Sequence, residues 1–481
     1  MKSGGRRSGL VLSAASAICL ITAFGGVALA SPAGGVKGDP QPELTPFKLG
    51  NLNSSSPGSI AMEPNGSMVA VYDIGVGNGK ALVCLLNRAA NSCAKTKPVL
   101  APLSNDSTFG IPQVLIPSAN HVYVLQEACC DGSASGGDVL FTSTTGGQSF
   151  SAPVRVGSLS VDAAALVGDN VVWTAGDSGA GQVIESVNLS SPSAPVTTAN
   201  PIKNNEAIDV GVGSYRDGAL VASDYDGASF YTTYVTYAPS GSDFNASNSY
   251  HKVGSFGKEQ LLGMSGSALL TIQTDGHTTA ELRVFNGKGF SSAEPVPGSS
   301  GGGPEWFMVN QDPSGAVHVF SERAASTPSY ELIERTTTND GKSWSAPVSL
   351  GNAIDDTNFD AALDSHGSGL VLGTDDPLAY PVLATQGVSF KISPSSLPKG
   401  KSATASGKGS PAATGRVITL QVERSGKWYN VATTHEKSGG SFSFKIKGTS
   451  AGSFRYRAVA ADLAGYLQYG YSNAQSLKVN S

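Results

Sequence analysis

Histidine and cysteine are scarce in this chain, with six and five residues among 481. The histidines fall singly, at unrelated positions and without metal-ligand spacing, so no zinc site is written in the sequence. Charge is thin at 14% of residues, and aromatics make up only 7%. No phosphate-cradling glycine loop, dinucleotide fingerprint or nucleophile elbow occurs. Beyond the first thirty residues no apolar run is long enough to cross a bilayer as a helix. What remains is rich in glycine (59 residues), β-branched residues and small polar residues, the composition of a turn-rich all-β protein.

The N-terminus carries Lys2, Arg6 and Arg7, then an uncharged apolar run from Leu10 that ends in Ala28-Leu29-Ala30 before Ser31 and Pro32. This layout predicts a secretory signal over residues 1–30, cut after Ala30, with an uncleaved anchor as the alternative. The expected destination is extracellular. Four cysteines then remain, Cys84, Cys93, Cys129 and Cys130, an even number that predicts two disulfides with three connectivities. Cys84–Cys93 across a strand–turn–strand with a vicinal Cys129–Cys130 pair is one solution; cross-bridges between the two loops are the other.

A unit of small turn, apolar strand and acidic residue recurs seven times. Its copies run from SMVAVYD (67–73) through NHVYVLQE, NVVWTAGD, GALVASDYD, SALLTIQTD and GAVHVFSE to SGLVLGTDD (368–376). The equivalent apolar positions are Val69, Val122, Val171, Leu220, Leu269, Val317 and Leu370, spaced by 53, 49, 49, 49, 48 and 53 residues. Each period accommodates four strands, the fourth often holding Pro-Val, as at Pro98-Val99 and Pro347-Val348. Proline suits an edge strand because no ladder donor is needed there. Four-stranded units at this period predict a β-propeller over residues 31–385. Seven blades is the expected count, or six if one hairpin is not a full blade. The edge-like Pro46–Leu49 is placed to complete the last blade and close the ring.

One turn carries a family likeness. Thr337-Thr338-Asn339-Asp340-Gly341-Lys342-Ser343-Trp344 resembles the Asp-box of sialidases and related BNR-repeat propellers, with weaker copies at Ser143–Phe150 and Asn286–Phe290. Asn339 and Thr145 replace the aspartate of that pattern. The resemblance implies a folding element on the face opposite an active site. It does not extend to the sialidase arginines, because Phe109-Gly110-Ile111-Pro112 has glycine where the first arginine of that family belongs.

Residues 386–481 form a separate module. Alternating segments Val417–Glu423, Trp428–Thr433, Ser441–Lys447, Phe454–Ala460 and Ser476–Val479 predict a β-sandwich. Gly426-Lys427-Trp428, Gly440-Ser441-Phe442 and Tyr456-Arg457-Ala458 resemble the Ig-like or fibronectin-type-III-like modules of bacterial secreted proteins. Charge divides at the same boundary: 16 Lys+Arg against 34 Asp+Glu over 31–385, but 13 against 3 over 386–481. Three readings of a basic module on an acidic body stand open: a tether to an anionic surface such as a cell-envelope polymer, a spacer whose lysines form a solvated face, or docking on the acidic repeat region of the same chain.

Two sets of acids follow from aligning the repeats. The end of each signature strand places Asp73, Glu127, Asp177, Asp224 or Asp226, Asp275, Glu322 and Asp375 or Asp376 around one face. The start of each innermost strand places Ser59, Gln113, Asp162, Asp209, Gln260, Glu305 and Asp360 beside the axial channel. Trp306, beside Glu305, could stack on a sugar ring. Asp162, Asp209, Glu305, Asp360, Gln113, Gln260 and Trp306 are therefore the candidate ligand-binding residues. Clustered carboxylates of this kind suit a carbohydrate, a peptide or a cation, with Ca²⁺ the one ion considered and no other cofactor implied. The preferred reading is a monomeric, secreted, non-catalytic binding protein with no nucleic-acid partner. The alternative is a divergent sialidase-like glycoside hydrolase or lyase.

Overall fold

In the computed structural model the chain is described over residues 46–49, 58–73, 81–87, 92–93, 99–100, 107–129, 137–157, 160–177, 181–192, 198–199, 207–227, 230–274, 279–299, 306–326, 329–353, 359–373, 378–384, 386–461 and 470–481. The N-terminal segment, Cys130 and Glu305 lie outside these residues. The described residues contain no α-helix.

Seven four-stranded antiparallel sheets account for the described part of the repeat region. Sheet 1 begins at Gly58, sheet 2 at Ser107, sheet 3 at Ser160, sheet 4 at Ala207, sheet 5 at Glu259, sheet 6 at Phe307 and sheet 7 at Phe359. In sheets 1 to 6 the four strands follow one another in chain order, each pairing with the one before. Sheet 7 takes only three strands from its own repeat. Its fourth is Phe47–Lys48 from the other end of the region, in register Phe47↔Ala379 and Lys48↔Leu378. The innermost strands pack in cyclic order, and the strand of sheet 7 packs back on that of sheet 1. This closed ring of sheets is a β-propeller.

Packing explains why the repeat is so regular. Val69, Val122, Val171, Leu220, Leu269, Val317 and Leu370 are all buried. A separate apolar cluster fills each gap between successive sheets, and the one formed by Leu49, Ile60, Tyr72, Leu370 and Leu372 joins sheet 7 to sheet 1. Each fully buried Val or Leu contributes about 1.5–3 kcal/mol. Both faces of a sheet are covered this way, so residues of either strand parity are apolar. Clearances are tight: a Cβ on Gly213 of sheet 4 would meet the Gly266 carbonyl of sheet 5 at 2.3 Å.

Hydrogen bonds stitch neighbouring sheets where the side chains are polar. Ser59 Oγ accepts from Val114 N at 3.2 Å, and Ser265 Oγ accepts from Gln311 N at 3.0 Å. Asp224 is fully buried; it accepts from Thr233 Oγ1 at 2.6 Å and, across to sheet 5, from Leu261 N at 2.5 Å. A disulfide joins Cys84, on the third strand of sheet 1, to Cys93 in the connection that follows it. The turns at 337–344 and 143–150 share one geometry: Thr337 Oγ1 and Ser143 Oγ each accept the N–H four residues on, from Gly341 and Gly147. Asn339 Oδ1 and Thr145 Oγ1 then accept from Ser343 N and Ser149 N. Gly341 (φ 85°) and Gly147 (φ 78°) take the left-handed conformation that this turn requires.

Residues beyond Gln386 form two further sheets over one core. The first is three-stranded, Gly387–Ser393, Ser402–Ser410 and Ser441–Lys447. The second is six-stranded and holds Val417–Arg424, Lys427–His435, Gly452–Ala460 and Gln475–Asn480, with the short Ser396–Pro398 and Gly470–Tyr471. Phe390, Leu420, Phe442, Phe444 and Leu477 fill the space between. The strands Gly387–Ser393 and Ser402–Ser410 were not among the expected segments; in the second the inward positions are Ala403, Ala405 and glycine rather than large apolar residues, whereas the first turns Val388, Phe390 and Ile392 to the core. Arg416 and Glu436 form a fully buried ion pair at 2.5 Å, and Arg416 also donates to the Pro411 carbonyl.

Asp224→Ala should remove the carboxylate from Leu261 N and leave a buried donor unpaired. The expected loss is about 1–3 kcal/mol of folding stability, measured by urea unfolding; an unchanged midpoint would show that the latch contributes nothing.

Candidate functional site

The innermost strands enclose a cavity of about 430 Å³ on the ring axis. Its wall is mostly small or apolar, with Ala163–Ala165, Val210–Val212, Gly263, Met264, Phe307 and Phe359, and its polar groups are Gln113, Asp162, Ser265, Asn310 and Asp360. Trp306 is among its lining residues, with 40% of its surface exposed.

The structure therefore brings four of the seven expected residues to one cavity: Gln113, Asp162, Trp306 and Asp360. Gln260 is half-buried and is not part of its wall. Asp209 sits on an innermost strand whose register with its partner shifts between Ala207 and Val210, and its side chain is outside what the structure describes. Glu305 lies outside the described residues. Met264, Phe359 and Asn310 line the cavity without having been expected. Only the first polar position of each innermost strand stands out in the sequence; the others look like ordinary strand residues.

The two described acids behave differently. Asp360 Oδ2 accepts from Ile60 N of sheet 1 at 2.8 Å, and Oδ1 accepts from Ala361 N at 2.8 Å. Burial raises its pKa, partly offset by the hydrogen bonds from Ile60, Ser59 and Ala361. It joins the last sheet to the first, just as Ser59 joins sheet 1 to sheet 2. Asp162 lies at the solvent-accessible rim, and burial raises its pKa as well. Gln113 Nε2 donates to the Ile111 carbonyl, and Asn310 Nδ2 to the Ala361 carbonyl at 2.9 Å. Among the described residues no group of three or more His, Cys, Asp or Glu could hold a metal ion; a Ca²⁺ site needs six to eight oxygens.

The expected acidic rim is different in kind. Asp224 and Glu322, aligned by the repeats around one face, are both fully buried, and the side chain of Asp226, the alternative to Asp224, lies outside the described structure. Glu127 is half-buried, while the Asp73 and Asp177 side chains, Asp275, Asp375 and Asp376 lie outside the described structure. Strand alternation cannot separate these cases, because in a closed ring both faces of a sheet are interior.

Two further perturbed titratable groups lie away from the cavity. Asp138, on the third strand of sheet 2, has its pKa pushed up to about 8 by burial and by the nearby Glu185. Its Oδ2 accepts from Trp173 Nε1 at 2.8 Å across the gap to sheet 3. In sheet 6, burial alone would lower the pKa of His318, but hydrogen bonds to Asp312 and Glu334 (Nδ1 to Glu334 Oε1, 2.7 Å) and their charges raise it to about 9. These are structural polar networks of the kind that perturb pKa values without catalysis. A second hollow of about 600 Å³ is lined by Met62–Pro64, Leu363–His366 and Pro411–Ala413. Its carboxylates serve turns: Glu63 accepts from Asn65 and Asn120, and Asp364 from His366 N and Ser368 N.

Comparison with known protein families finds no match, and no curated protein matches the chain. Solved structures with similar folds include one from a structural and mechanistic analysis of two prolyl endopeptidases (TM-score 0.40, 11% identity). This chain covers 55% of that protein's length, with 76% of its own length matched. The Hadza microbial sialidase Hz136 is similar at TM-score 0.40 and 9% identity, over 70% of this chain and 68% of that one. The Trypanosoma rangeli sialidase in complex with the inhibitor DANA is similar at TM-score 0.35 and 9% identity, over 88% and 87%. Likenesses this distant say nothing of what this chain binds or cleaves.

A pH-dependent stability follows from Asp138. Between the unfolded pKa near 4 and the folded value of about 8, the folded state holds a proton that the unfolded state has lost. Stability therefore falls as pH rises from 5 to 8. In Asp138→Asn this fall should shrink, with the variant gaining on the parent at pH 8 by on the order of a few kcal/mol, read from unfolding midpoints at both pH values. An unaltered pH profile would assign the dependence to other groups.

Proposed function

We propose that the seven sheets are the blades of a sialidase-like propeller, that residues 386–481 are an Ig-like or fibronectin-type-III-like sandwich, and that the protein is a secreted, monomeric, non-catalytic binder. Its ligand is a carbohydrate, held at the axial cavity. The observation that carries this reading is the exposed Trp306 among the residues that line the cavity, which also include Asp162 and Gln113. An indole face takes the C–H face of a sugar ring, and a carboxylate with a nearby amide takes its hydroxyls. The turns at 337–344 and 143–150 support the Asp-box likeness, since Asn339 and Thr145 accept the hydrogen bond expected of an aspartate.

The alternative, a divergent glycoside hydrolase or lyase, needs two carboxyl groups free to act on opposite sides of a bond. Asp360 is committed to two backbone N–H groups, which favours binding over turnover. The fate of Cys129 and Cys130 in a second disulfide, and the signal over residues 1–30, remain part of the extracellular reading.

A glycan array followed by calorimetry on the strongest ligand tests this. Trp306→Ala and Asp162→Asn should each weaken binding at least tenfold, with no product released by the parent protein. Unchanged affinity in Trp306→Ala would remove the cavity as the site, and product release abolished by Asp162→Asn would establish the enzyme instead.

A further inference from the structure

The outward face of the three-stranded C-terminal sheet is made of lysine and hydroxyl residues alone, glycine aside. Lys391, Lys408, Lys445 and Lys447 are all exposed on it, interleaved with serine and threonine. The register keeps the cations apart. Lys391 stands opposite Ser406, Lys408 between Ser389 and Ser441, Lys445 opposite Thr404 and Lys447 opposite Ser402. No two lysines are cross-strand partners, so direct like-charge opposition is avoided while the whole face stays positive.

Among the described residues no carboxylate lies on this face. The C-terminal region has three carboxylates, Glu423, Glu436 and Asp462. Glu436 is buried with Arg416, and Glu423 lies on the other sheet, paired with Arg455 at 2.6 Å. Asp462 lies outside the described residues. The face also carries no aromatic or large aliphatic side chain, so it cannot supply the apolar centre of a protein–protein interface or stack nucleic-acid bases. The outer face of the six-stranded sheet contrasts with it: there Arg457 lies between the rings of Trp428 and Tyr471, 4.5 and 4.7 Å from their centroids.

We infer that the lysine–hydroxyl face is a docking surface for a linear polyol-phosphate polymer, with ammonium groups on the phosphodiesters and hydroxyls on the polyol. Same-face residues along a strand are about 6.8 Å apart and strands about 4.8 Å, so Lys445 and Lys447 present charges at the spacing of successive groups on an extended polyanion. The exposed hydroxyls suit a hydrated chain lying along the strands. This site is separate from the axial cavity, and neither depends on the other.

The test uses the full chain with three probes: poly(glycerol phosphate), vesicles of phosphatidylglycerol and phosphatidylcholine, and neutral dextran. Poly(glycerol phosphate) should bind at low salt, with affinity falling as salt rises, each phosphate contact adding about 0.7–0.9 to the log–log slope. Changing Lys391, Lys408, Lys445 and Lys447 to Gln should weaken binding more than tenfold and flatten the slope. Lys445→Gln with Lys447→Gln should have an intermediate effect, whereas Lys427→Gln with Lys478→Gln should change affinity less than twofold. Because the four side chains are exposed, the thermal midpoint should stay put, and Trp306→Ala should bind this polymer normally. Three results would overturn the proposal: no binding at low salt, equal loss in the control pair, or binding to the vesicles without the polymer.

Discussion

The apolar contact between successive sheets is what the rest of the propeller depends on. A single four-stranded sheet with both faces apolar cannot exist alone in water, and each sheet here is covered only by its two neighbours. The last neighbour is supplied by closing the ring. That is why Phe47–Lys48 pairs with sheet 7 and why Leu49 is buried among residues of sheets 1 and 7. Closure removes the two exposed faces that an open array would leave, and it draws the innermost strands around an axis, which creates the cavity.

Polar side chains take part in that closure. Ser59, Asp224, Ser265 and Asp360 each accept a backbone N–H from an adjacent sheet. A backbone donor at such a junction has no ladder partner, and a buried donor left unpaired is costly. A carboxylate or hydroxyl in reach of the junction relieves it. The two described acids of the cavity differ in this respect: Asp360 joins two sheets, and Asp162 lies at the rim. Asp138 and His318 belong to the same economy of buried polar contacts, between sheets 2 and 3 and within sheet 6.

The C-terminal region solves a smaller packing problem with a single core between two sheets, and so it has two outward faces to spare. They diverge in chemistry: one is lysine and hydroxyl, the other stacks arginine against aromatic rings. Basic residues thus stand on both outward faces, as lysines among hydroxyls on one and with arginine between aromatic rings on the other.

Much of this was legible in the sequence. Seven signature strands, their buried positions and the closing strand at Pro46–Leu49 follow from period and strand propensity, and Cys84–Cys93 was one of two pairings that the cysteine spacing left open. The charge boundary near residue 386 was legible as well. Tertiary structure alone decided which acids are buried, because Asp224 meets Leu261 N, and Asp360 meets Ile60 N three hundred residues away. It also decided which of the aligned inner-ring residues converge, bringing Gln113, Asp162, Trp306 and Asp360 to the cavity. Period-two alternation marks the two faces of a strand, but in a ring both faces are interior; only the neighbouring sheet determines whether a carboxylate finds a donor or water.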